Sequence, residues 1–101
     1  MARTNTKRWN PSEHLATAEE MAAYLNAALE EDDMRLILAS LGDIARAKRM
    51  AAVAQDTGLG RESLYKSLST EGNPEFATIL KVVRAVGLRF RVTAAPDAAA
   101  E

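Results

Sequence analysis

Residues 57–69 read TGLGRESLYKSLS, directly after MAAVAQD at 50–56. Two short helix-forming runs separated by a glycine-containing turn are the sequence form of a helix-turn-helix. Gly58 supplies the positive φ that the turn needs. Ala54, one helical turn earlier, is small where the second helix crosses the first. Leu59 and Leu64 plug the angle between the helices, with Val53 beneath them. Arg61, Glu62, Tyr65, Lys66 and Ser69 then remain outward, together with Ser63. Those are positions that would enter a major groove, with the helix start near phosphates. Arginine reads guanine with two parallel hydrogen bonds, while lysine and tyrosine suit phosphates or base edges. The same spacing also fits a plain corner in a helical bundle, with Arg61 and Lys66 merely solvated. Two features count against DNA: MAAVA opens without Ser, Thr or Gln, and Gly60 stands where a Ser or Thr cap is commoner. Both remove contacts that position a backbone on the duplex.

Periodicity predicts three more helices around this pair. Thr17 and Glu20 form a capping box, and Met21, Tyr24, Leu25, Ala28 and Leu29 follow as one apolar stripe. Glu30, Glu31, Asp32 and Asp33 close that helix, and Asp32 or Asp33 can cap the next. The second helix spans about 34–48 and buries Ile37, Leu38, Leu41, Ile44 and Ala45. Gly42 inside it costs about 1 kcal/mol against Ala, which implies a neighbour crossing closely there. In the last helix Asn73 is expected as N-cap and Pro74 at the first position. Phe76, Ile79, Leu80, Val83 and Val86 form its core stripe, with Gly87 as the stop. After Gly87 the period becomes two: Leu88, Phe90 and Val92 alternate with Arg89, Arg91 and Thr93, a strand with one apolar face. The expected class is therefore all-α, a five-helix domain over 9–93 with one short C-terminal strand. Residues 1–8 are expected to be a flexible arm and 94–101 a disordered tail.

The chain has 101 residues and no cysteine, which excludes a disulfide framework and thiol chemistry. Its start lacks the apolar run of a signal peptide, and no segment approaches the roughly 20 apolar residues of a membrane span. A soluble cytoplasmic protein is expected, with no membrane partner. Net charge is −1, but it is unevenly placed: residues 1–43 carry −4 and residues 44–95 carry +5. A polyanion responds to the face it meets rather than to the total.

No enzyme is expected. His14 is the only histidine and has no nucleophile motif around it. The cluster 30–33 lacks the interleaved spacing of a calcium loop, and no metal or other cofactor is expected. Gly72 belongs to a turn rather than a phosphate loop, since no GK[ST] follows. Trp9 beside Asn10-Pro11 either folds back on the first helix or anchors a partner.

From about Trp9 to Val92 the chain resembles the addiction-module antidote family, antitoxins with a Cro/repressor-type helix-turn-helix. The segments that carry the resemblance are NPSEHLATAEEMAAYLNAALEEDD, LGDIARAKRM and AAVAQDTGLGRESLYKSLSTEGNPEFATILKVVRAVGL. The resemblance implies a five-helix repressor-like fold and a HigA-like antitoxin of a type II module. It also implies that such a protein neutralises a RelE/ParE-like, HigB-type toxin and binds its own operator, a double-stranded DNA partner. The groove-facing role then carries to Arg61, Glu62, Tyr65 and Lys66. An RNA-cleaving toxin grips phosphates and is expected to be basic, so Trp9, Glu19, Glu20, Glu30 and Glu31 are the candidate toxin contacts. A lone strand leaves its backbone groups unpaired, so Leu88, Phe90 and Val92 are expected to pair with a second copy in a homodimer, or with the edge of a toxin sheet. The alternatives are a helical antitoxin that acts through protein contacts alone, and a free-standing transcriptional regulator.

Overall fold

The computed structural model describes residues 14–96 and is all-helical. Its elements in order are α1 (Ala18–Glu30), α2 (Met34–Ala47), α3 (Met50–Thr57), α4 (Arg61–Ser67) and α5 (Phe76–Ala85). The arm expected at 1–8, Trp9, and most of the tail expected at 94–101 lie outside the described residues.

The caps follow the sequence closely at the first two helices. Thr17 Oγ1 accepts from the Glu20 N–H at 3.1 Å, and Glu20 Oε1 accepts in return from Thr17 N at 3.1 Å and Ala16 N at 2.8 Å. Asp33 Oδ1 accepts from the Arg35 N–H at 3.0 Å and so caps α2. Asp32 turns the chain between the two helices with φ 55°, a conformation aspartate tolerates better than most side chains. Between α2 and α3 the corner is tighter: Arg49 holds φ 81° without a side-chain cap. Such backbone is strained for a residue with a Cβ.

α1 packs on α2, and α3 packs on α2, α4 and α5. The core brings together Met21 and Leu25 from α1, Leu41, Ile44 and Ala45 from α2, Val53 and Ala54 from α3, Leu64 and Leu68 from the α4 segment, and Ile79, Val82, Val83 and Val86 from the α5 segment. Leu15, just ahead of α1, is buried as well. Across the α1–α2 contact the Tyr24 hydroxyl donates to Asp43 Oδ2 at 2.6 Å, and Arg46 pairs with Asp43 Oδ1 at 2.7 Å. Burial, and then the Asp43 carboxylate, push the Tyr24 phenol above its ordinary pKa.

Gly42 has the close neighbour its position implied. A Cβ there would lie 3.1 Å from the Leu68 carbonyl oxygen, so the end of α4 presses on α2. Gly58 and Gly87 hold φ 77° and 89° at the ends of α3 and α5, the left-handed geometry that favours glycine after a helix.

Three expectations need correction. α5 starts at Phe76, not at Pro74: Glu75 is the N-cap, extended at φ −69° and ψ 154°, and makes no side-chain cap bond. Gly72 lies hard against the Lys66 and Ser67 carbonyls at the end of α4, and residues 73–75 carry the chain from that contact to α5. Phe76, expected in the core, is 63% exposed, because the helix begins with it one turn before the first buried residue, Ile79. The strand expected at 88–93 is not formed within the single chain, for among the described residues there is no strand at all. A strand needs a ladder, and this helical body offers no second strand to make one.

Candidate functional site

α3, residues 58–60 and α4 form a compact unit. Val53 and Ala54 are buried on α3, while Leu64 and Leu68 turn inward from the α4 segment. Leu59, in the connection, packs partly buried against the same core. Thr57 clamps the corner: its hydroxyl donates to the Val53 carbonyl at 2.8 Å and accepts from the Leu59 N–H at 3.3 Å. Gly58 N–H donates to the Ala54 carbonyl at 3.0 Å. The orientation of α4 is thus held by apolar side chains below it and by hydrogen bonds at the end of α3 and in the turn that precedes it.

With Leu64 and Leu68 inward, Arg61, Glu62, Ser63, Tyr65, Lys66 and Ser69 are all exposed. At about 100° per residue, Arg61, Glu62, Tyr65 and Lys66 share one stripe, and Ser63 lies off it. The Arg61 guanidinium stands 6.0 Å from the Tyr65 ring centroid, within cation–π range. Ser69 is placed differently from the rest: its hydroxyl donates to the Lys66 carbonyl at 2.9 Å and closes the helix end. Arg61 and Lys66 make no ion pair, since the Arg46–Asp43 pair is the one found among the described residues.

An open cleft beside the α3–α4 corner is lined by Asp56, Thr57, Lys81, Arg84 and Ala85. Its two cations come from the exposed side of α5, and sequence reading did not single them out. The signal was present in their spacing of three on the polar face of α5, opposite Val82 and Val83.

The acidic residues fall into two groups. Glu19 is exposed in the first turn of α1, and Glu20 is engaged by the cap. Glu30 ends α1 and Glu31 is its C-cap, with no basic residue in the last turn. Carboxylates at that end oppose the helix dipole. Among the described residues, no group of His, Asp and Glu converges as a metal site would. No described helix is long and apolar enough to cross a membrane.

Leu88 and Phe90, expected on the apolar face of a strand, pack partly buried against the core, and Val92 is exposed. Phe90 stacks on Phe76 with ring centroids 6.0 Å apart.

Comparison with known proteins matches residues 5–94 to the family described as "Probable addiction module antidote protein". A protein of Haemophilus influenzae, described as uncharacterized, is 52% identical over 86 residues, 85% of this chain and 89% of its own. No solved structure matches the chain.

Proposed function

Since the chain belongs to the probable addiction module antidote family, we propose that it is a HigA-like antitoxin that neutralises a RelE/ParE-like, HigB-type toxin and represses its own operon by binding operator DNA. The α3–α4 unit acts as the helix-turn-helix and the chain works as a homodimer. The observation that carries the DNA reading is the exposed stripe of Arg61, Glu62, Tyr65 and Lys66 on a helix pinned from below by Leu64 and Leu68. A rigidly seated helix with unpaired cations on its outer side is what base and phosphate contacts require. Lys81 and Arg84, beside the corner, add positive charge within reach of a backbone.

Binding to the DNA upstream of its own gene tests this reading. Log affinity should fall linearly with log salt. Arg61→Ala is expected to cost about 1–3 kcal/mol and relax specificity at one position. Lys66→Ala is expected to weaken all sequences alike and flatten the salt slope. If both variants bind as the wild type does, α4 is not the reading helix. The bare openings of α3 and α4, which lack side-chain caps, favour the protein-contact antitoxin as the second reading. Salt-independent or undetectable DNA binding would establish that one instead.

The acidic end of α1 is the proposed approach surface for the toxin. Glu30 and Glu31 are exposed and sit where the helix dipole opposes them, a local cost that a role in binding would explain. Complementary charge mainly speeds encounter. Reversal of Glu30 and Glu31 to lysine is therefore expected to slow association with a basic toxin, most at low salt, without changing DNA affinity. An unchanged rate at low salt with a folded variant would show that the toxin docks elsewhere.

A further inference from the structure

The chain beyond α5 leaves a backbone edge open. The Leu88 N–H donates to the Val83 carbonyl at 2.9 Å, and no later backbone N–H up to residue 95 finds a backbone partner among the described residues. Residues 88–95 carry neither helix nor turn. Their side chains alternate: Leu88 and Phe90 turn towards the body, while Arg89 and Arg91 are exposed. The segment runs over α1, beside Ala22, Asn26 and Leu29. Val92 shares the parity of Leu88 and Phe90 yet is 94% exposed, because its own helical body ends before it. An open backbone edge and one uncovered residue of the inward set call for a second strand that brings its own body. A second copy of this chain supplies both.

In an antiparallel pair, directly opposed residues share a face, so apolar must meet apolar. With a two-fold axis at Phe90, Phe90 meets Phe90 and Leu88 covers Val92. Arg89 then lies opposite Arg91, twice. An axis at residue 89 would set Val92 opposite Val86, which the core already buries, and an axis at 91 would leave Leu88 facing only Ala94, so apolar cover places the axis at Phe90 although that register opposes the most arginines. Like charges directly opposite destabilise a strand pair. We infer that residues 88–92 pair with a second copy about an axis at Phe90, and that the facing arginines Arg89 and Arg91 keep this pairing weak at low ionic strength. The inference rests on the homodimer proposed above and adds its register and its control by salt.

Sedimentation of the full chain between about 0.05 M and about 1 M sodium chloride tests it. The wild-type dimer is expected to tighten as salt rises. Arg91→Glu sets an acid opposite Arg89 in both pairs, and should tighten the dimer about tenfold at low salt and reverse the salt trend. Arg89→Glu should do the same. The double variant R89E/R91E again opposes like charges and should fall back to wild-type weakness, although it is the most acidic. Since both arginines are exposed, circular dichroism should show the same helix content in all four proteins. A double variant that dimerises most tightly would show that net charge, not register, is responsible. A tight wild-type dimer at low salt, unchanged in the single variants, would overturn the register while leaving the homodimer standing. Four monomers at every salt concentration would overturn the homodimer as well.

Discussion

Leu64→Ala is expected to destabilise the protein by about 2–5 kcal/mol, against a total of about 5–15 kcal/mol for a domain of this kind. Leu64 is 0% exposed and belongs to the cluster that includes Val53, Ala54, Leu68, Val82 and Val83. Truncation removes its transfer free energy and leaves a cavity under α4 that helices fixed on either side cannot close. Urea unfolding should show a lower midpoint with an unchanged slope. The neighbouring Tyr65→Ala is the control. Tyr65 is exposed and contacts Arg61 at cation–π distance, so its loss should cost less than about 1 kcal/mol. Equal costs for the two substitutions would mean that Leu64 is not the residue seating α4.

Gly72→Ala is expected to cost about 3 kcal/mol, the upper end for overpacking. The added Cβ would fall on the Ser67 carbonyl oxygen and lie 2.7 Å from the Lys66 carbonyl oxygen. Both neighbours are backbone at the end of α4, so no side chain can swing aside. The Gly72 N–H also donates to the Ser69 carbonyl at 2.9 Å, which ties the turn at the point of collision. Relief requires displacing the turn or the last residues of α4, including Lys66. A thermal midpoint lowered by roughly 10 °C or more is the expected reading for a domain near this size. A midpoint within a degree or two of wild type would show that the turn is loose enough to accommodate the methyl.

Much of this could be read from the chain alone where the determinants are local. The capping box at Thr17 and Glu20 and the Asp33 cap depend on side chains that reach only a few residues. Periodicity likewise placed Met21, Leu25, Leu38, Leu41, Ile44 and Leu64 inside, since burial of a helical face is set by a 3.6-residue repeat. The exposure of Arg61, Glu62, Tyr65 and Lys66 follows from the inward position of Leu64 and Leu68 on the same turns.

Where the determinant is a distant neighbour, the sequence was silent or misleading. Asn73-Pro74 has every local mark of a helix start, yet α5 begins at Phe76, after a turn pressed against the end of α4. Phe76 continues the apolar stripe of α5 but stays largely exposed, because the stripe outruns the body it packs on. Lys81 and Arg84 stand beside Thr57 only because α5 packs on α3. Alternation at 88–93 predicts a strand, and it places Leu88 and Phe90 inward, but a ladder requires a partner strand that local pattern cannot provide. Cap chemistry and helical periodicity act over a few residues and are written into the chain; the meeting of α4 with α2, of Gly72 with Ser67 and of α5 with the α3–α4 corner depends on segments that become neighbours only when the core closes.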